Sequence, residues 1–243
     1  MTATAPPPPR RRTSPATRRL LRALSTVLIL SGSLLVLDAG LTVAWQEPVS
    51  AVYAKFTQDA LDGDLDALEA QKLPPLEQRV LQKLKTPKRQ GAYLARRFKR
   101  KLSEGDAAGR ITIPKIGASY VMVKGTSPAS LRKGPGLFPD NPYPGAHGTT
   151  AVAGHRTTYA APFRKIDELR KGDRIIVRMP YGTFRYAVER TRIVKPSEVW
   201  VLNRVSYDRL VLSACHPLYS AAKRIIVFAR LVKTELKPSG VDT

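Results

Sequence analysis

The most distinctive hydrophobic pattern in the sequence is an apolar run over residues 23–45, in which Asp38 is the only charge. At about 1.5 Å per residue, a helix of this length reaches roughly 35 Å, enough to cross a bilayer with some tilt. Arginines precede the run and acidic residues follow it from Glu47 onward. This asymmetry predicts a single-pass signal anchor with a cytoplasmic N-terminus and an extracytoplasmic remainder. The alternatives are a cleaved signal peptide and a buried core helix.

The segments on either side of this run differ from it in pattern. Residues 1–22 contain six arginines, a proline run and no acid, which predicts a disordered basic tail in the cytoplasm. In residues 46–106, apolar residues recur at helical spacing and prolines interrupt them, which predicts a stalk of two or three short helices between the membrane and the domain. The acidic stretch Asp62–Asp66 lacks the glycine and glutamate of a calcium loop, so we expect no metal there.

Residues 107–235 have the pattern of an all-β domain, in which short β-rich runs are separated by loops with glycine and proline. The runs are Arg110–Ile113, Tyr120–Val123, Thr149–Ala153, Arg174–Met179, Thr183–Val194, Arg209–Ser213 and Ile225–Leu231. About six to eight strands in roughly 130 residues predict a closed or nearly closed small barrel with a few short helical pieces. We assign residues 236–243 to a C-terminal tail.

The charge balance narrows the kinds of partner. The chain has 41 Lys and Arg against 19 Asp and Glu, a net charge of +22, and residues 107–243 hold 23 of the bases and nine of the acids. Such a basic chain predicts an acidic partner: anionic lipid, an anionic wall polymer or nucleic acid. The single cysteine excludes an internal disulfide framework and any multi-cysteine metal site.

That cysteine is the first candidate for chemistry. Cys215 ends the run Arg209–Ala214 and enters a loop that contains proline, a place from which a thiol can face a groove. A nucleophilic cysteine needs a base or a cation that favours the thiolate, and acyl transfer also needs a group that holds an oxyanion. The alternative is a small, buried and inert cysteine.

Two further side chains can complete such a centre. His155 closes an apolar run and can meet the cysteine if their strands are neighbours. Arg224 opens a strand nine residues after the cysteine, close enough to return as its antiparallel neighbour and donate to an oxyanion. His216 is less suitable because neighbours on a strand point to opposite faces, and His147 is interpreted as an exposed loop residue. Arg224 has its own alternative, a surface arginine in an arginine-rich chain.

Short motifs along the β domain form an ordered series. They are Gly125-Thr126-Ser127, Gly134-Pro135-Gly136, Pro144-Gly145, the stretch Ala153–Phe163 (AGHRTTYAAPF), Leu212-Ser213-Ala214-Cys215 and Arg224. This series resembles the sortase family, and most closely class E, the housekeeping type of high-GC Gram-positive bacteria. The resemblance extends over roughly residues 107–235.

The resemblance implies the eight-stranded sortase barrel and a cysteine transpeptidase of the cell membrane. Cys215 would attack the Thr–Gly carbonyl of a Leu-Pro/Ala-x-Thr-Gly-type sorting signal at the C-terminus of a secreted protein. His155 would act as general acid and then as base, and Arg224 would hold the substrate and the oxyanion. An amine of a peptidoglycan precursor would resolve the thioester. No cofactor is implied.

Two positions depart from the family pattern. Ala214 stands where the family usually has threonine, and Leu137 follows the Gly-Pro-Gly motif where the family often has histidine. Ala214, Ser213 and Tyr159 are the substrate-binding candidates, and strand alternation is expected to aim Ser213 differently from Ala214.

Two other functions stay open at this point. One is a pilin-polymerising sortase, in which the acceptor amine is a lysine of another subunit. The other is a non-enzymatic basic envelope protein that binds an anionic polymer. Nucleic acid is not expected as a partner, because only Tyr181, Phe184 and Tyr186 approach a pattern of aromatic residues among bases.

Overall fold

The structure, a computed structural model, describes residues 15–44 and 48–237 and divides into two units, Met1–Trp45 and Gln46–Thr243. In the first unit, helix α1 extends over Pro15–Ala44. The part of α1 from Pro15 to Leu41 includes an 18-residue segment with a mean hydropathy of 2.1, and it is long and apolar enough to span a membrane. The helix is therefore compatible with the predicted single-pass anchor.

The start of this helix corrects one expectation. Residues 15–22, which we expected to be disordered, form the first turns of α1. The arginines and leucines in this stretch are good helix formers, and proline suits the first helical position because it has no N–H to satisfy there. Residues 1–14 of the predicted tail, Trp45 at the end of the predicted span, and residues 238–243 lie outside the described residues.

The second unit is built on a closed barrel of eight strands, which confirms the predicted fold class. The strands are β1 (Ala107–Ile113), β2 (Ala118–Lys124), β3 (Gly136–Leu137), β4 (Thr149–Ala153), β5 (Arg174–Met179), β6 (Gly182–Val194), β7 (Arg209–His216) and β8 (Lys223–Leu236). Their order around the barrel is β1-β2-β3-β4-β7-β8-β6-β5. Every strand except β3 overlaps a predicted run; β3 has two residues, too few to produce an alternating pattern.

Three helices precede the barrel: α2 (Pro48–Ala70), α3 (Pro75–Lys83) and α4 (Pro87–Lys101). They are not the stalk that we expected, because they pack on the barrel. Leu65 of α2 is buried against β1 and β2, and Phe98 of α4 belongs to the main barrel core. Gln58 of α2 also accepts the N–H of Val121 at 2.7 Å and donates to its carbonyl oxygen at 3.1 Å. The helices between residues 48 and 101 are therefore a helical layer of the barrel unit, and residues 46–47 of the predicted stalk lie outside the described residues.

The alternation of side chains along β7 separates two cores. Leu210 and Leu212 point into the barrel and belong to the main core. Val211 points outward into a second cluster, together with Ile226 and Phe228 of β8. The connection between β6 and β7, which contains the 3₁₀ turn Val199–Leu202, covers part of this outer face. The outer face of β4, β7 and β8 is the surface on which the candidate site lies.

The remaining short elements are helix α5 (Pro128–Lys133) and the 3₁₀ turns Pro114–Ile116 and Ile166–Glu168.

Candidate active site

Cys215 and Arg224 are direct partners across two antiparallel strands. The register of β7 with β8 pairs these two residues, next to the pair Ala214–Ile225. Side chains of directly opposite residues share one face of the sheet and lie close together. The cysteine is free, and the residue is partly exposed. The tight return between the strands therefore places Arg224 directly opposite Cys215, an arrangement that the spacing of the two residues predicts.

The guanidinium of Arg224 is held by its own loop. Its Nη1 donates to the carbonyl oxygens of Ala221 at 2.8 Å and Lys223 at 2.9 Å. Within the described part of the chain, its Nε–H and Nη2 donors have no protein partner. These donors are oriented by the anchored end of the group and are available to an oxygen atom of a ligand.

His155 follows the end of β4, which pairs in parallel with the cysteine strand β7. Ala153 pairs with Ser213, and the N–H of Gly154 donates to the carbonyl oxygen of Ser213 at 3.0 Å. His155 and Cys215 each lie two residues beyond that pair. Ser213 and Cys215 lie on the outer face of β7, and Ala153, the register partner of Ser213, lies on the same face two residues before His155.

The imidazole of His155 lies in a partly buried environment. The ring of Tyr159 packs against it, with 5.4 Å between the ring centroids and an angle of 44° between the planes. Burial, and to a smaller extent the positive charge of Arg132 on α5, lowers the pKa of His155 below its usual value. A lower pKa makes the protonated ring a stronger acid. Arg132 was not found by sequence reasoning, because its proximity to His155 arises only from the fold.

The loop after this histidine has an unusual backbone. Tyr159, Ala160 and Ala161 have positive φ angles of 52°, 59° and 43°, in a region that non-glycine residues seldom adopt. The N–H of Tyr159 donates to Oγ of Ser50 at 3.1 Å, and the hydroxyl of Tyr120 donates to the carbonyl oxygen of Ala160 at 3.1 Å. The conformation of the loop therefore depends on contacts with α2 and β2.

The start of the same loop requires glycine. A Cβ atom on Gly154 would lie 2.5 Å from Cδ2 of Phe163, whose side chain is fully buried. The N–H of Phe163 also donates to the carbonyl oxygen of His155 at 3.0 Å, which closes the loop. The glycine in the AGHR motif thus permits the close packing that fixes the backbone of His155.

The structure separates the other substrate-binding candidates. Ser213 lies on the same outer face as Cys215, two residues before it, and is partly exposed. Ala214 is 3% exposed and belongs to the main core. Its assignment to substrate binding is corrected, because strand alternation turns its methyl group into the barrel. Tyr159 contacts His155 on one side and the ring of Tyr53 at 6.3 Å on the other.

The remaining histidines bind other partners. Nδ1 of His147 lies 3.1 Å from Oδ1 of Asp208, at the opposite end of β4 and β7 from the candidate site. Nδ1 of His216 lies 3.3 Å from Nη1 of Arg156. Among the residues that the structure describes, no three His, Cys, Asp or Glu side chains are close enough to hold a metal ion.

Two connections with exposed apolar side chains border the site. The β6–β7 connection begins after Val194, which pairs with Arg224, and exposes Val199 and Trp200. The β7–β8 connection joins the cysteine strand to the arginine strand and exposes Leu218 and Tyr219. Exposed apolar residues beside a reactive group are typical of a surface that binds an apolar ligand segment.

Comparisons with known proteins agree with this geometry. The family model described as Sortase domain matches residues 111–232, a range that contains every residue of the candidate site. Sortase D of Bacillus subtilis (strain 168) is 35% identical over 132 residues, which cover 53% of this chain and 65% of that protein. The chain thus spans slightly less than two thirds of the length of this relative.

Solved structures show the same likeness. A Clostridium perfringens Sortase D5 transpeptidase has 28% sequence identity and a TM-score of 0.53, covering 58% of this chain and 88% of that chain. Sortase E from Streptomyces avermitilis has 28% identity and a TM-score of 0.52, covering 58% of this chain and 97% of that chain. With a family model that matches half of its residues, including the whole candidate site, this chain belongs to the sortase family.

Proposed function

We propose that the chain is a membrane-anchored cysteine transpeptidase. It cleaves a Leu-Pro/Ala-x-Thr-Gly-type sorting signal between Thr and Gly and transfers the secreted protein to an amine of a peptidoglycan precursor. The observation that carries this proposal is the register of three strands, which pairs Arg224 with Cys215 and ends at Ala153 and Ser213, two residues before His155 and Cys215. Membership of the sortase family supports the same chemistry.

The proposed reaction has two halves. In the first, Sγ of Cys215 bonds to the threonine carbonyl carbon, and the carbonyl oxygen becomes an oxyanion that the free donors of Arg224 stabilise. Protonated His155 gives its proton to the glycine nitrogen as the C–N bond breaks, which leaves a thioester. In the second half, His155 takes a proton from the incoming amine, whose nitrogen displaces the sulfur. The lowered pKa of His155 favours the first proton transfer.

The outer face supports binding of an extended peptide. Exposed Trp200 and Leu218 on the two bordering connections offer apolar surface to the leucine and the second residue of the signal. Ser213 offers a hydroxyl on the same face as the nucleophile. Tyr159, packed on His155, has the role of positioning the imidazole as well as contacting substrate.

Class, orientation and acceptor complete the proposal. We assign the chain to class E, as its motifs suggest, with the N-terminus of α1 in the cytoplasm by the positive-inside rule and the barrel unit outside. The acceptor is a wall-precursor amine; a lysine of a pilin subunit is the alternative acceptor. Residues 107–243 hold 23 Lys and Arg but only nine Asp and Glu. This excess of positive charge favours a second candidate function, the binding of an anionic wall polymer.

The test uses the full chain in detergent, sorting peptides with Pro or Ala at the second position, and a small amine. Cleavage between Thr and Gly and the mass of the amine adduct are measured. We expect Cys215→Ala to abolish both and His155→Ala nearly so, while His147→Gln, a histidine outside the site, keeps activity. Cleavage by Cys215→Ala at the wild-type rate would exclude the proposal.

Arg224 has a matched control on the same strand. Arg224→Lys should restore only part of the activity that Arg224→Ala loses, because a point charge lacks the planar fork of donors. Arg230→Lys changes an exposed arginine of β8 that pairs with Glu189 at 2.7 Å and should leave the cleavage rate unchanged. A chain that binds anionic polymer but cleaves no peptide would favour the second candidate function.

A further inference from the structure

Arg156 is a buried charged side chain that the proposed reaction does not use. It is 3% exposed and directly follows His155. Its Nε and Nη2 donate to the carbonyl oxygen of Arg164 at 3.2 and 3.0 Å, and Nη2 lies 2.8 Å from Oδ1 of Asp167. Its Nη1 lies 3.3 Å from Nδ1 of His216. Because arginine has donors only, this contact requires that Nδ1 of His216 accepts.

These contacts lie directly behind the candidate nucleophile and base. The paired run of β4 and β7 continues to Gly154, whose N–H donates to the carbonyl oxygen of Ser213. Beyond that bond, the contact between Arg156 and His216 joins the two residues that directly follow the candidate base and nucleophile. Successive residues on a strand point to opposite faces. On β7, Cys215 therefore lies on the outer face and His216 on the face behind it, where it meets the buried side chain of Arg156.

The same guanidinium also reaches the returning side of the loop. Arg164 and Asp167 come after the loop that His155 opens and the N–H of Phe163 closes. One side chain thus binds three segments: the end of β4, the end of β7 and the returning limb of the loop. Buried and hydrogen-bonded on all its nitrogens, it holds these segments in one geometry.

We propose that Arg156 is a positioning residue that sets the separation of His155 and Cys215 by clamping the two strand ends from behind. This inference rests on the proposed transpeptidase function. Reaction rates depend steeply on such separations: a displacement of about 1 Å can cost roughly 100-fold in rate. A lysine cannot replace the arginine, because a single ammonium does not provide donors in several fixed directions.

The experiment compares variants of the full chain in detergent. Arg156→Met is expected to lower kcat for sorting-peptide cleavage roughly 100-fold with KM unchanged, since it disturbs the reacting groups and not the peptide surface. His216→Leu removes only the bond between the strand ends and should lower kcat on the order of 10-fold. His216→Gln, which keeps an acceptor, should recover most of that loss. The control is Arg170→Met, an exposed arginine whose Nη1 donates to the carbonyl oxygen of Asp167 at 2.7 Å.

A second measurement separates positioning from a merely structural role. Cys215 is the only cysteine, so the rate of its alkylation by iodoacetamide against pH reports on this thiol alone. His155→Ala defines the part of the profile that depends on the imidazole. We expect Arg156→Met to lose that same part. A folded Arg156→Met variant with the wild-type alkylation profile and the wild-type kcat would overturn the inference. The inference would also be overturned if Arg156→Met and Arg170→Met lost kcat in the same proportion to their loss of melting temperature.

The two proposals fail in different ways. If the wild-type chain cleaves no sorting peptide, the proposed function fails, while the alkylation profiles still decide whether Arg156 positions the thiol and the imidazole. If Arg156→Met does not fold, the pair His216→Leu and His216→Gln decides the inference. Equal kcat and equal profiles in that pair would contradict the clamp.

Discussion

Replacing Leu65 with alanine tests whether residues 46–106 are part of the catalytic unit or a linker. Leu65 is fully buried between α2 and the barrel. It shares a cluster with Leu61, Ala107, Val121 and Val123. If α2 is an integral layer of the barrel unit, the truncated side chain leaves a cavity that strands of a closed barrel cannot collapse to fill. If residues 46–106 were a stalk, the change would have little effect on the barrel.

The magnitude follows from the complete burial of this side chain. Truncation of a buried leucine to alanine costs about 2–5 kcal/mol of unfolding free energy, the larger values applying where the surroundings do not relax. In a unit of this size each kcal/mol shifts the melting temperature by roughly 2–4 °C, so we expect a decrease of roughly 4–20 °C. The matched control is Leu76→Ala in α3, where the side chain is 72% exposed, with an expected change within about 0.5 kcal/mol.

The assay is thermal unfolding of the full chain in detergent, followed by circular dichroism, with the rate of peptide cleavage measured well below the transition. Because α2 also carries Ser50, which holds the loop of His155 through Tyr159, Leu65→Ala is expected to slow cleavage as well. Equal melting temperatures for Leu65→Ala and Leu76→Ala would refute the conclusion that α2 belongs to the barrel unit.

Two further predictions concern the candidate base. Arg132→Gln removes a positive charge that disfavours the imidazolium, so the pKa of His155 should rise, and the limb of the pH–rate profile that reports His155 should move to higher pH. Lys133→Gln, next to it, should not move that limb, and equal shifts in both variants would contradict the assignment. Gly154→Ala places a methyl group against the buried ring of Phe163, so it should destabilise the fold by about 1–3 kcal/mol and reduce cleavage. The melting temperature and kcat measure the two effects. A fully active, equally stable variant would show that the close packing is not required.

Local patterns were sufficient for much of the fold and for naming the candidate residues of the site. Alternating runs predicted strands such as β6 and β7, and the apolar run predicted α1 apart from its first turns. The short gap between Cys215 and Arg224 predicted an antiparallel return, because two strands joined by a tight connection usually pair. His155 was predicted as a partner only on the condition that its strand lies beside that of the cysteine.

Other features depended on contacts between distant residues. The helical spacing in residues 46–106 predicted helices but not what they pack on, because an apolar helix face is compatible with either a stalk or a barrel layer. Ala214 was misassigned because the family motif identifies the position before the cysteine, whereas the face of the strand decides which side chain meets solvent. Arg156 lay inside a recognised motif, yet its partners Asp167 and His216 are brought to it only by the loop and the register.

By itself, the sequence determined the membrane-compatible helix and the strand content of the barrel, since these depend on residue type and on spacing over a few residues. Its motifs also named the candidate thiol, imidazole and guanidinium through their resemblance to the sortase family. Only the tertiary structure decided that the three helices after α1 pack on the barrel, that Ala214 faces inward, that Arg132 lies near His155, and that Arg156 meets His216 and Asp167. The physical reason is that the burial of a side chain, its distance from a charge and its hydrogen bonds depend on three-dimensional distances between residues, not on their spacing in the sequence. Closing the barrel sets those distances between residues that are far apart along the chain.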